Sequence, residues 1–345
     1  MVSEVNPKMI ILAREAKGWT QHDLAEKISL HRANVSRLEN GDTAVQDQTL
    51  MAISAATGYP PDFFTRQSEC IPVNLSYRKR ENVHVKLLTP IEAKMNIIRA
   101  HVQFTTRALD KAVPQIPVIE VNEEKSPSVI ASTIRRKWNL GSGVIDNLIT
   151  LLEGQGIIIS SFDFGTERVD SRSMFTDDKY PIIFLNRNLL GDRLRYSLAY
   201  ELGQLIMHTH SFVPPERDVT KEANAFAAAF LMPEEDIIND FQEGITLSLL
   251  AKLKTKWKVS MISLLYRADD LGIITPNQKR YLIQQFNQQK IRRREPIELD
   301  IPKEKPTLLN RLIKQYISEY EITIHQMAAI FAIPLEDYLD YYGEM

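Results

Sequence analysis

The stretch LAYELGQLIMHTH, residues 198 to 210, decides how the larger part of this chain is interpreted. It lies within RYSLAYELGQLIMHTH, where apolar residues recur at helical spacing, and a Pro-Pro pair follows it. Glu201 is the acidic residue of the stretch, and Tyr200 and Gln204 stand four residues apart beside it. The pattern predicts a helix, and these three residues raise the question of whether that helix carries a metal site.

A helix of a zinc peptidase carries two histidines at positions i and i+4, because four residues make just over one turn. A glutamate beside the first histidine polarises the metal-bound water and accepts its proton. In this chain Glu201 has the glutamate position, but Tyr200 and Gln204 stand at the two histidine positions. A phenol loses its proton only near pH 10, and an amide oxygen is a hard, weak donor for zinc. The pattern therefore predicts such a helix without its metal chemistry.

Composition restricts the class of protein. The 345 residues allow two or three domains, and the net charge of −2 gives no overall basic field of the kind that favours nucleic-acid binding. One cysteine, Cys70, excludes an intrachain disulfide framework and is typical of a reducing cytosol. No apolar run reaches the roughly 18 residues of a membrane span, and the N-terminus lacks the layout of a signal peptide. We therefore expect a soluble cytoplasmic protein with no membrane partner.

The segment WTQHDLAEKISLHRANVSRLENGD, residues 19 to 42, carries the strongest motif in the chain. Thr20 can cap a first helix, with Asp23 completing the capping arrangement. A short turn at Ser29 and Leu30 precedes a second helix from about Arg32. Two short helices joined in this way predict a helix-turn-helix, whose second helix can enter a major groove about 12 Å wide.

Residues 8 to 66 closely resemble the XRE-family, lambda-repressor-like DNA-binding domain, through the pattern TQxxLAxK followed by VSRLENG. The resemblance implies that side chains of the second helix face base edges and that Gln21 holds phosphate and braces Arg32. It places Asn40 near the DNA backbone. Either arginine of the second helix, paired with a guanine, would contribute about 1–3 kcal/mol of discrimination. The expected DNA-binding residues are Gln21, Arg32, Ala33, Asn34, Ser36, Arg37 and Asn40.

Two observations oppose this interpretation of the N-terminal segment. Residues 1 to 66 carry seven Lys or Arg against eight Asp or Glu, so a helical hairpin used only for packing is the alternative. Ser29 stands at the turn position that is usually glycine, and serine tolerates a positive φ poorly, so we expect slight strain there.

Residues 130 to 300 resemble the ImmA/IrrE-type metallopeptidase domain. The matching segments, in chain order, are TIRRKWNL, VIDNLITLLEGQGI, PIIFLNRN, GDRLRYSLAYELG, KEANAFAAAFLMP and VSMISLLYRADDLGII. Position by position, the resemblance places Tyr200 and Gln204 at the two histidine ligands, Glu201 at the general base and Glu222 at the third ligand. Two of three ligands are thus lost, which predicts a pseudo-peptidase with no bound metal and no cofactor. Arg193 and Arg195 are the expected partners of Glu201 and Glu222.

A competing interpretation takes His208, His210, Glu216 and Asp218 as replacement ligands. His208 lies roughly 12 Å along the helix axis from Tyr200, which displaces it from the position that Glu222 would require. The simpler interpretation is that His208 and His210 are polar residues at a helix end, where histidine interacts favourably with the helix dipole.

Together these patterns predict a mainly α protein with a small β component. The expected domains are a five-helix DNA-binding domain at residues 1–68, a linker with an amphipathic helix at 69–128, a zincin-like domain at 129–300 and a helical segment at 301–345. We expect a homodimeric transcriptional regulator that binds a double-stranded DNA operator. The inactive peptidase-like domain would serve as sensor or dimerisation domain, with a peptide, small molecule or protein in the vacated cleft. The alternatives are an active metallopeptidase with unusual ligands that cleaves a repressor, and an antitoxin-like regulator that binds a partner protein.

Overall fold

A computed structural model describes residues 4–67, 78–79, 83–208, 214 and 216–343, with the backbone alone at 78–79. Within these ranges the chain forms sixteen α-helices and four strands, so the prediction of a mainly α protein with a small β component is confirmed. Cys70 and His210 lie outside the described residues. No helix in the described ranges is long and apolar enough to cross a membrane.

Five helical elements form the N-terminal region, as predicted, and the fifth of them is a 3₁₀ helix. They are α1 (Pro7–Ala16), α2 (Gln21–Lys27), α3 (Arg32–Asn40), α4 (Asp47–Thr57) and the 3₁₀ helix Pro61–Thr65. The predicted cap is present, since the Thr20 hydroxyl accepts the backbone N–H of Asp23 and the Asp23 carboxylate accepts that of Thr20. These reciprocal bonds satisfy two backbone donors that the start of α2 would otherwise leave unpaired.

The turn between α2 and α3 has the conformation that the sequence predicted. Ser29 has φ of +54°, in the left-handed region where a Cβ atom is disfavoured. The Leu30 N–H bonds to the Ala25 carbonyl at 2.9 Å and closes the end of α2. The expected strain at Ser29 is therefore visible as a positive φ.

A four-stranded sheet lies in the middle of the chain, in the order β1-β3-β4-β2. Strand β4 pairs in parallel with β2 and antiparallel with β3, which pairs antiparallel with β1. Every residue of β4 is buried, so the sheet is covered on both faces. The strands are β1 (Arg78–Lys79), β2 (Ile158–Phe162), β3 (Val169–Phe175) and β4 (Pro181–Asn186).

Helices surround the sheet. Between β1 and β2 in the chain lie α5 (Val85–Ala108), α6 (Pro127–Lys137) and α7 (Leu148–Gly154). After them come α8 (Gly191–Met207), α9 (Val219–Leu231), α10 (Glu234–Ile237), the 3₁₀ helix Ile238–Phe241, α11 (Leu247–Trp257), α12 (Met261–Asp270) and α13 (Pro276–Gln288). The 3₁₀ helix Ile297–Leu299, α14 (Leu308–Glu319), α15 (Ile324–Phe331) and α16 (Leu335–Tyr342) complete the described chain.

Two apolar cores lie on opposite faces of the sheet. The first joins α1 to α4 with α5, α14 to α16 and the sheet residues Phe162 and Phe184. The second contains α6 to α9 and α11 to α13, with Ile159 and Ile183 from the same two strands. Successive side chains of a strand point to opposite faces, and for this reason one short sheet serves both cores. The helix-turn-helix region thus shares a core with α5 and the C-terminal helices, whereas α8 lies on the other face.

Candidate functional site

The proposed DNA-reading face is the outer side of α3. This side carries five exposed residues and the half-buried Ser36. The exposed residues are Arg32, Ala33, Asn34, Arg37 and Asn40. The opposite side of the helix is anchored by Val35, Leu38 and Glu39, which are buried. Helical periodicity separates the two groups, so the helix is held by one face and presents the other to solvent.

A buried carboxylate fixes α3 to its neighbours. Glu39 accepts hydrogen bonds from Arg14 Nε at 2.5 Å and from Gln21 Nε2 at 2.9 Å, which link α3 to α1 and α2. The Gln21 amide nitrogen is therefore bonded to Glu39, and the implied bracing of Arg32, which would use the amide oxygen, stays a prediction. The sequence interpretation missed Glu39, although its position four residues after buried Val35 marks the inner face of α3.

The degenerate site is built on α8, which is enclosed between the sheet and α9. Glu201 is 1% exposed and accepts hydrogen bonds from the Ser171 hydroxyl at 2.8 Å and the Ser173 hydroxyl at 2.7 Å. Both serines are on β3, where the period of two places them on one face. Glu201 therefore fastens α8 to the sheet.

The predicted arginine partners of the two glutamates are wrong. Arg193 pairs with Asp170 at 2.6 Å, and Arg195 pairs with Glu304 from the segment before α14. Both arginines lie on α8, but each guanidinium pairs with a carboxylate that the tertiary fold brings close to it. Sequence proximity to Glu201 carries no information about these distant carboxylates.

A polar chain occupies the positions of the missing histidine ligands. Gln204 Nε2 donates to the Tyr200 hydroxyl at 3.0 Å, and Gln204 Oε1 lies 2.8 Å from Nδ1 of His208. His208 Nε2 lies 2.7 Å from Oε2 of Glu222. With the amide in this orientation both ring nitrogens face acceptors, as in a protonated imidazole, whereas the opposite amide orientation, with its nitrogen toward Nδ1, suits the neutral ring. Burial lowers the pKa of His208, and its bond with Glu222 opposes that shift.

The predicted displacement of His208 from Glu222 is therefore wrong. His208 ends α8, and its side chain turns toward the first turn of α9, where Glu222 lies. The rise along a single helix axis does not account for this contact, because it is made between two helices. Tyr200 itself is fully buried, and its ring fills part of the space beside the sheet.

Glu222 also forms a two-pronged ion pair with Arg217. Arg217 Nε lies 2.9 Å from Oε1, and its second nitrogen lies 2.6 Å from Oε2. The Arg217 bond is the largest cause that holds the pKa of Glu222 below its usual value. The third-ligand position is thus a carboxylate already neutralised by a guanidinium.

This donor set does not fit zinc. A phenol, an amide and an ion-paired carboxylate stand where the resemblance expects two histidine nitrogens and a carboxylate oxygen, and both His208 nitrogens are already bonded to Gln204 and Glu222. Of the suggested replacements, Asp218 caps α9 by accepting the Lys221 N–H at 2.9 Å, and Glu216 is exposed. Over the ranges described above, no group of three or more His, Cys, Asp or Glu side chains has an arrangement suited to a metal.

Close packing between α8 and α9 depends on Gly203. A Cβ atom at this position would lie 2.9 Å from Cδ1 of the Phe226 ring, closer than carbon atoms approach in proteins. Glycine at 203 therefore allows the two helices that carry the degenerate site to come together. The sequence interpretation assigned this glycine no role.

Comparison with known proteins agrees with both halves of this description. Residues 152–269 match the model of the IrrE N-terminal-like domain, and residues 10–64 match a helix-turn-helix model. No curated protein matches the chain. The two matched segments contain α8 and α9 in one case and α2 and α3 in the other. The chain thus fuses an XRE-like helix-turn-helix domain to an IrrE/ImmA-like domain, and the helix-turn-helix supports a DNA-binding regulator.

Proposed function

We propose that this chain is a cytoplasmic, dimeric, sequence-specific transcriptional regulator whose IrrE-like domain has no peptidase activity and serves as its sensor. The single observation that carries the DNA-binding part is the exposed outer face of α3, with Arg32 and Arg37 on it. The observation that carries the inactive-domain part is the Arg217–Glu222 ion pair beside Tyr200 and Gln204.

The geometry of α3 suits a major groove. Arg32 and Arg37 are five residues apart on a short helix whose inner side is fixed by Glu39. A guanidinium can bond O6 and N7 of a guanine together, which is the commonest specific contact in the major groove. A monomer reads few base pairs, so we expect a dimer on two half-sites about one helical turn apart.

An electrophoretic shift assay with DNA from upstream of the gene tests the DNA-binding part. Arg32→Ala and Arg37→Ala should each weaken specific binding by about 1–3 kcal/mol, which is roughly 5- to 150-fold. Arg280→Ala is the matched control, because Arg280 is exposed on α13 and lies outside the helix-turn-helix domain. Equal binding by all three variants would exclude the assigned recognition face.

Loss of peptidase chemistry follows from the ligand positions. Without a metal-bound water, Glu201 has no proton to accept, and its carboxylate is instead held by Ser171 and Ser173. A positive guanidinium at Glu222 opposes a divalent cation at the same place by charge repulsion. Glu201 and Glu222 are therefore proposed to act as structural residues.

Metal analysis of the tag-free protein, purified without chelator, tests this second part. We expect less than about a tenth of an equivalent of zinc, because too few nitrogen or sulfur ligands converge. Two results together would instead establish an active metallopeptidase. The first is close to one equivalent of zinc that Glu222→Gln loses, and the second is peptide cleavage that Glu201→Gln abolishes.

A further inference from the structure

A cavity lies on the face of the sheet opposite α8, the helix that carries Tyr200, Glu201 and Gln204. It has a volume of about 490 Å³, within the range of small-molecule sites. Its walls come from α1, the 3₁₀ helix Pro61–Thr65, α5 and α15, together with the turn between β3 and β4. The helix-turn-helix region and the rest of the chain therefore enclose it jointly.

Much of the lining of this junction cavity is apolar. Its apolar side chains are Met9, Leu12, Phe63, Ile97, Phe104 and Phe331. The His101 ring stacks on Phe331 with centroids 4.1 Å apart and planes 1° apart. Burial lowers the pKa of His101 to about 3, so the ring is neutral at physiological pH. Its Nε2–H donates to the Phe331 carbonyl at 3.2 Å, and Nδ1 accepts from the Tyr342 hydroxyl at 2.8 Å.

The rim of the junction cavity is positively charged. Arg66, Arg99 and Arg107 line it, and Asp177 is the one carboxylate among the described residues that line it. Arg99 pairs with Asp177 at 2.6 Å, and Arg107 pairs with Asp178 on the same turn. Arg66 donates to the carbonyl of Ile330, a neutral acceptor. The two aspartates thus balance Arg99 and Arg107, whereas Arg66 bonds a neutral carbonyl and has Asp62, which does not line the cavity, as its nearby carboxylate.

We propose that the junction cavity binds a small organic carboxylate with an apolar aromatic or alkyl body. The body would lie among Leu12, Phe104 and Phe331, and the carboxylate would pair with the guanidinium of Arg66. An arginine–carboxylate pair is charge-assisted and can be two-pronged, which suits a single anionic group better than a neutral one. Of the three lining guanidinium groups, that of Arg66 bonds a neutral carbonyl, so it is the one placed to pair with a carboxylate.

Binding there would favour one arrangement of the DNA-binding region. Arg66 and Phe63 belong to the N-terminal region, whereas Phe104 is on α5 and Phe331 on α15. A ligand that contacts all of them stabilises the arrangement in which they surround it. This consequence rests on the proposed function in DNA binding, whereas the binding site itself does not.

Fluorescence titration of the full chain with anilinonaphthalene sulfonate, an aromatic anion, tests the site without DNA. We expect one saturable site, from which decanoate displaces the probe at least about tenfold more effectively than decanol of the same chain length. Displacement by both compounds at equal concentration would contradict the proposed carboxylate pairing.

Two variants locate the site. Ala100→Phe adds an aromatic ring that extends from the α5 wall into the cavity, and Arg66→Gln removes the positive charge of the Arg66 guanidinium. We expect Ala100→Phe to abolish probe binding. Arg66→Gln should weaken the binding of decanoate at least about tenfold and leave the binding of decanol unchanged. The matched controls are Ala251→Phe, from a half-buried position in the other core, and Arg280→Gln, at the surface.

Circular dichroism of each variant separates loss of the site from loss of the fold. If Ala100→Phe does not fold, Arg66→Gln alone tests the proposed ligand site. Unchanged probe and decanoate binding in a folded Ala100→Phe or in Arg66→Gln would overturn the proposal. The titration contains no DNA, so that result would not contradict the DNA-binding proposal. Failure of operator binding would likewise not contradict the proposed ligand site.

Discussion

The imidazole of His208 lies 2.7 Å from the carboxylate of Glu222 and joins the end of α8 to the first turn of α9. In a metallopeptidase of this type, a shared zinc ion would join the same two helices. Here the connection runs from Tyr200 through Gln204 and His208 to Glu222, and Arg217 closes it. Under the proposed function, these hydrogen bonds and this ion pair take the structural part of the metal's role.

Restoring the two histidines should restore metal binding. Tyr200→His combined with Gln204→His places two imidazoles four residues apart on α8, and Arg217→Gln removes the guanidinium that is ion-paired with Glu222. We expect this triple variant to bind about one equivalent of zinc, the content of a three-ligand site. Elemental analysis after dialysis measures it, with each single variant as a control. Zinc in the unaltered protein at the same level would contradict the assignment of these positions.

Replacing Ser29 with glycine should stabilise the protein. The positive φ of 54° disfavours any residue with a Cβ atom, so Ser29→Gly should raise the free energy of unfolding by about 1 kcal/mol. Ser132→Gly is the control, because this exposed serine lies inside α6. Glycine within a helix costs about 0.5–1 kcal/mol, so the two substitutions should act in opposite directions in urea denaturation. Destabilisation by both would refute strain at the turn.

Adding one methyl group at Gly203 should destabilise the α8–α9 contact. The new Cβ atom would meet the Phe226 ring at 2.9 Å, and overpacking of this kind costs about 1–3 kcal/mol. Gly154→Ala is a matched control, because no atom lies within 4 Å of a Cβ at this position in α7. We expect Gly203→Ala to lower the midpoint of urea unfolding and Gly154→Ala to leave it unchanged or raise it. Equal effects would exclude a close-packing role for Gly203.

Stability should depend on pH through Glu92. Burial raises the pKa of this α5 carboxyl to about 7 from 4.5, although Arg172 at 2.9 Å opposes the shift. Between these two values the folded chain holds a proton that the unfolded chain releases. The contribution of Glu92 to the free energy of unfolding therefore falls as pH rises through this interval, by on the order of 3 kcal/mol.

Urea unfolding of Glu92→Gln at about pH 5 and about pH 8 measures this effect. The unaltered protein should lose more stability between the two values than the variant, which cannot titrate at this position. Glu298→Gln, at an exposed glutamate, should leave the pH dependence of the unaltered protein intact. The same dependence in Glu92→Gln would show that Glu92 does not titrate in this range.

Local patterns account for the start of α2 and for two of the four strands among the described residues. The capping pair Thr20 and Asp23 fixes the start of α2 through bonds between near neighbours, so spacing alone identifies it. The apolar runs of β2 and β4 also follow from their residue types. Strand β3 was missed, because Asp170, Ser171 and Arg172 are polar and yet buried. Their partners lie on α8 and α5, far away in sequence.

The sequence by itself determined which side chains α3 presents and that Tyr200 and Gln204 flank Glu201 on α8, because helical periodicity and residue chemistry are local properties. Only the tertiary structure decided which groups these side chains contact. His208 meets Glu222, and Arg195 meets Glu304, through contacts between elements whose approach depends on the packing of both cores. The junction cavity has the same origin, since Leu12, Phe104 and Phe331 become neighbours only when three distant segments pack together. Long-range packing, and not local pattern, therefore sets the partners of the polar groups in this protein.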